Sequence, residues 1–74
     1  MYEVDNIIKL GNEEYLIVEK VFFSGKNYLC LADMNDDEHD IIVEETEEGL
    51  IEVTEENLTR TILAIAIKKI QENQ

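Results

Sequence analysis

The apolar positions of this chain fall into five short blocks followed by one long one. The short blocks are Val4–Leu10, Glu14–Phe23, Asn27–Asp33, Asp40–Thr46 and Leu50–Val53, all rich in the β-branched and aromatic residues that suit strands. Clusters of turn-forming residues separate them: Gly11-Asn12, Ser24-Gly25, Asn35-Asp36-Asp37 and Glu48-Gly49. A beat of roughly a dozen residues is the rhythm of an antiparallel meander. Residues 15–23 are nearly continuously apolar, as are Tyr28-Leu29-Cys30-Leu31-Ala32, which suits central strands covered on both faces. The fourth block opens on the apolar Ile41-Ile42-Val43 and turns acidic from Glu44, which suits a strand with one wet face.

After Val53 the period changes to that of a helix. Thr54 is the predicted cap, Glu55 and Glu56 sit at the positive end of the macrodipole, and Lys68 and Lys69 at the negative end. The prediction is a helix over residues 55–72. At about 100° per residue, Leu58, Ile62, Leu63, Ile65, Ala66, Ile67 and Ile70 spread over roughly 200°, about twice what one buried stripe needs. Either the helix sinks deep into the sheet, or one flank packs on the sheet while Leu63, Ile67 and Ile70 offer a face to a second copy or a partner. The expected fold is α+β: a single domain over residues 1–74, with a meander of four or five strands and one C-terminal helix packed on it.

A chain of 74 residues buries only about 60% of its unfolded surface, so the core is thin and a partner subunit is one way to complete it. Cys30 is the one cysteine, which excludes an internal disulfide; with His39 alone beside it, a Cys/His zinc site is excluded too. The apolar fraction of 45% is too high for a disordered acidic tail. No apolar run nears the length of a membrane span, and Met-Tyr-Glu-Val-Asp has neither a basic nor an apolar leader region. With a free cysteine, these features lead to the expectation of a cytoplasmic protein.

Charge sharpens the picture. The net charge is −12, and all of it lies in the middle of the chain. Residues 27–59 hold twelve acids and no Lys or Arg, while the remainder balances six acids against six bases. A surface of this sign repels nucleic acid and anionic membranes and attracts basic proteins. Duplex phosphates recur every ~3.4 Å along a strand. Acids on one strand face recur every ~6.6 Å, with neighbouring strands ~4.8 Å away. Glu44, Thr46 and Glu48 are expected on one side of the fourth segment, Glu45 and Glu47 on the other. Asp36, Asp37, Glu38 and Asp40 would extend the field past the hairpin tip.

Other chemistry finds less support. Asp33-x-Asn35-x-Asp37 with Glu44 matches four ligand positions of an EF-hand loop. Glu38 stands where the turn glycine belongs, however, and both flanks read as strands, so no metal site is assigned. His39 among acids reads as a solvated loop residue, and Cys30 in an apolar strand as inert packing. No phosphate loop or nucleophile elbow occurs. Neither an enzyme nor a cofactor is expected.

The line Asn12-Glu13-Glu14-Tyr15-Leu16-Ile17-Val18, then Gly25-Lys26-Asn27-Tyr28-Leu29-Cys30-Leu31, an acidic loop and Ile41-Ile42-Val43-Glu44 resembles a family of short acidic bacterial proteins of unknown function. The likeness covers roughly residues 12–56 and implies no activity. In size and charge alone the chain also resembles phage and mobile-element inhibitors of host defence nucleases, of the anti-CRISPR and anti-restriction type. The expectation is a non-enzymatic binding protein whose Asp36, Asp37, Glu38, Asp40, Glu44, Glu45, Glu47 and Glu48 meet the basic, nucleic-acid-binding surface of a partner. The alternative is an assembly protein that dimerises through Leu63, Ile67 and Ile70, its acids serving solubility.

Overall fold

The computed structural model describes residues 2–73. Strands β1 (Ile7–Leu10), β2 (Glu13–Phe23), β3 (Lys26–Asp33), β4 (Ile41–Thr46) and β5 (Gly49–Glu52) pair antiparallel in chain order, and helix α1 (Glu56–Glu72) packs on the resulting curled sheet. The α+β meander is thus as predicted, and the fifth strand does pair. Two-residue turns set the first registers. Gly11 supplies the single positive φ (61°) between Leu10 and Glu13, while Ser24 and Gly25 are both positive (52° and 79°), as a type I′ turn requires. The first strand begins at Ile7 rather than Val4, because Asp5 turns left-handed (φ 74°). The backbone still bonds β2 there: Asp5 donates to the Ile17 carbonyl and Ile17 to that of Asn6.

A bulge in β2 decides how the sheet is covered. Ile17 pairs with Leu31 and Glu19 with Cys30, so Val18 is an extra residue. An extra residue moves every later side chain to the opposite face. Tyr15 and Ile17 join one buried cluster with Leu29, Leu31 and Val43. Val21, of the same parity, joins the other with Tyr28, Cys30 and Ile42. One strand therefore feeds two cores, and this is why β2 and β3 read as almost unbroken apolar runs.

Helix α1 covers the Val21 cluster, sinking Ile62 and Ala66 into it with Leu58 and Ile65 at their sides. The other cluster is closed by the sheet's own curl, with Tyr2, Ile8, Leu10, Ile41 and Leu50 folded against it. The helix cap is Glu55, not Thr54. Its two carboxylate oxygens accept from the amides of Asn57 (3.0 Å) and Leu58 (2.7 Å), a reach the shorter Thr54 lacks one position earlier. At the far end Lys69 donates to the Lys20 carbonyl at 2.6 Å and lies 3.5 Å from the Glu19 carboxylate. That cation favours the helix terminus and also ties it to the strand just beyond the bulge.

Ile62 is fully enclosed and Ile67 is 54% exposed. Ile62→Ala should lower unfolding free energy by about 2–5 kcal/mol, with Ile67→Ala within about 0.5 kcal/mol of wild type, in urea titrations. Similar losses at both positions would contradict this division of the helix.

Candidate functional site

The loop between β3 and β4 is built on Asp33, whose side chain is buried at the strand end. One Asp33 oxygen accepts from the Asn35 amide at 2.8 Å, and the other meets His39 Nδ1 at 2.9 Å. Asp36 then accepts from the Glu38 amide through its side chain and from the His39 amide through its carbonyl, each at 3.0 Å. These local bonds fix the backbone and leave Asp36, Asp37, Glu38 and Asp40 pointing to solvent.

The antiparallel order brings the β1–β2 turn to the same end of the sheet. The Met34 amide donates to the Glu14 carbonyl at 2.9 Å. Burial first, then the charges of Asp33, Glu13 and Glu52, push the Tyr15 phenol up. The His39 ring tilts over Tyr15 at 6.2 Å. Glu13 and Glu52, which sequence reasoning left out of the contact set, therefore belong to this acidic end. The meander itself was the signal, since alternate turns of a meander share one end of the sheet.

The eight acids expected to act together are divided. Strand β4 ends at Thr46, so Glu47 and Glu48 form its turn to β5, about 20 Å of strand away from Asp40. Glu48 does not continue the strand face of Glu44 and Thr46. The Thr46 hydroxyl organises that turn, donating to the Gly49 carbonyl at 2.8 Å and accepting from the Glu48 amide at 3.2 Å. Glu44 pairs with Tyr28 on the helix side of the sheet and Glu45 with Asn27 on the other. Cations meet few of these groups: Lys26 lies 3.7 Å from Glu44, Arg60 2.6 Å from Glu56, and Lys69 near Glu19. Among the described residues, no Lys or Arg pairs with Asp36, Asp37, Glu38, Asp40, Glu45, Glu47 or Glu48.

The EF-hand-like residues do not converge. Asp33 is committed to Asn35 and His39, and Glu44 sits along β4 near Lys26. Among the described residues, no three His, Cys, Asp or Glu side chains are grouped to hold a metal ion. Burial, reinforced by Glu19, pushes the Cys30 thiol up to about 11, so it is protonated at neutral pH and a poor nucleophile.

The helix flank chosen from sequence borders an apolar groove of about 310 Å³. Leu63, Ile67 and Ile70 form one wall, Val18 and Ile42 part of the other, and Asp40 and Glu52 lie along it. Among the described residues no helix is long and apolar enough to cross a membrane. No family model, curated protein or solved structure matches the chain. The resemblance to short acidic bacterial proteins rests on the residues quoted for it alone.

The Asp33–His39 bond makes stability depend on pH. The Asn35 amide, then His39, hold the Asp33 carboxyl below its ordinary 3.8. The bond to Asp33 raises His39 above its ordinary 6.5, against the effect of burial. The histidine's contribution is complete below 6.5 and is lost as pH rises through its folded value; the aspartate's is present above 3.8 and is lost as pH falls through its own. The pair therefore stabilises most between those two limits. His39→Ala should lower the thermal midpoint more at about pH 5.5 than at about pH 8, and an equal loss at both would refute the linkage.

Proposed function

We propose that this protein is a non-catalytic binding module whose acidic surface occupies the basic groove of a partner that handles nucleic acid. The observation that carries the reading is the uncompensated charge: among the described residues the β3–β4 loop acids have no Lys or Arg partner, and hydrogen bonds to Asp33 and Asp36 hold their backbone. An ordered array loses little conformational freedom on docking, and an unpaired one has no internal bridge to break. A field of one sign also steers encounter with a basic surface at a salt-dependent rate. The loop acids with Glu13 and Glu52 are the dense part of that surface, and Glu45, Glu47 and Glu48 flank it at the opposite end of β4. The protonated Cys30 thiol and the hydrogen-bonded Asp33 and His39 are structural groups in this reading, without a reaction to serve. Inhibition of the partner by exclusion of its nucleic acid is the expected consequence.

A second reading, assembly of two copies through α1, draws on the exposure of Leu63 and Ile67, 42% and 54%. Light scattering separates it: a dimer that Ile67→Glu converts to a folded monomer would support assembly.

The primary test immobilises the protein, passes host lysate over it and elutes with rising salt. The paired bait carries Asp36→Asn, Asp37→Asn, Glu38→Gln and Asp40→Asn. A nucleic-acid-binding protein retained by the native bait alone, and released as salt rises, is the expected result. A bait with Glu3→Gln and Glu72→Gln should retain it fully. Identical capture on all three baits would reduce the acids to solvation.

A further inference from the structure

The groove beside α1 combines two features that sequence reading had kept apart. Its wall is the helix flank of Leu63, Ile67 and Ile70, and the sheet supplies Val18, which the β2 bulge leaves 37% exposed. From Thr59 to Ile70 the groove follows α1 for about three turns, some 17 Å at 1.5 Å per residue. Its charged lining groups are Asp40 and Glu52, both acidic, and Asp40 is continuous with the unpaired loop acids.

We propose that this groove seats an amphipathic basic helix of the partner, with apolar residues at helical spacing against Leu63, Ile67 and Val18 and Lys or Arg side chains on Asp40 and Glu52. The inference rests on the acidic-surface reading and names the element that the surface receives. Charge complementarity selects the occupant. A second copy would bring its own Asp40 and Glu52 to the same place, with −12 on each chain, which opposes a two-fold contact there. A compact apolar ligand would use neither carboxylate nor the groove's length. A helix laid in a groove, anchored at i, i+3, i+4 and i+7, uses both.

The test uses the full chain and three synthetic peptides of about 18 residues, a length of roughly five helical turns. One places Leu and Lys to form an amphipathic helix, the second scrambles the same residues, and the third replaces every Leu with Ser. Fluorescence anisotropy gives Kd, and amide chemical shifts locate the contact. The amphipathic peptide should bind about tenfold or more tightly than the scrambled one and shift Val18, Leu63 and Ile67. Ile67→Glu should remove that preference, and Asp40→Asn with Glu52→Gln should weaken binding and flatten its salt dependence. Both variants should keep the wild-type urea midpoint, because these side chains are exposed; Leu63→Ala provides a milder reading of the same wall. Equal binding of all three peptides, weakened only by neutralising Asp36, Asp37 and Glu38, would overturn the groove while leaving the acidic-surface reading intact. No binding of any peptide would overturn the groove proposal, and the salt-eluted capture would then decide the acidic-surface reading by itself. Shifts at Leu63 and Ile67 that depend on protein concentration alone would assign the groove to a second copy and overturn the proposal.

Discussion

The extra residue at Val18 is the constraint on which the rest of this structure depends. Without it, Tyr15, Ile17, Glu19 and Val21 would project from one face of β2, and a thin chain would have one core. With it, the first two supply the cluster closed by the sheet's curl, and Val21 supplies the seat for α1. A bulge also increases local twist, which favours a sheet that curls over its own side chains. Helix attachment follows from the same feature. Glu19, carried to the helix side, stands near Lys69, and the Lys20 carbonyl just beyond the bulge accepts from that lysine. The half-exposed Val18 becomes part of the groove wall.

The meander was legible because turn residues punctuate it so regularly and because each strand block has its own β-branched run. The bulge was not. Burial alternates without a break through Tyr15, Ile17, Glu19 and Val21, so the face reversal leaves the period of two untouched, and no glycine marks the spot. Only register against β3 reveals it, and register is a long-range property. The cap was misread for a similar reason. Thr54 is a better intrinsic N-cap than Glu55, but the backbone turns one residue later, and a longer side chain reaches both amides. The width of the helix arc left a deeply sunk helix and a two-sided one both open, and the structure buries one side only: Ile62 and Ala66 lie inward, while Leu63 and Ile67 stay exposed along the groove.

Charge in this protein follows the boundaries of the fold. Sequence adjacency joined Asp36 through Glu48 into one field, and strand geometry divided it. Six residues of β4 separate the two acidic ends, and pleating sends Glu44 and Glu45 to opposite faces. Topology compensates by gathering Glu13 and Glu52, distant in sequence, toward the loop acids. Concentrated repulsion is tolerable at the end of the sheet because the Asp33 and Asp36 carboxylates accept hydrogen bonds that hold the loop, and His39, bonded to Asp33, is able to carry a positive charge.

Under the proposed function the two surface features would suit different parts of one binding event. Long-range attraction from unpaired carboxylates acts before contact and sets how often a basic partner arrives in the right orientation. It contributes less to residence, because exposed ion pairs are screened and individually weak. Apolar side chains act only at contact, and their burial slows departure. An acidic surface alone would exchange rapidly among many basic proteins; an apolar groove alone would accept any greasy segment, including that of a second copy. Under the proposed function the two, joined at Asp40, would discriminate together, since a segment would need apolar residues and positive charge in the correct relative positions to satisfy both. That requirement is geometric, and the bulge at Val18 and the short strand β4 are the elements that set it.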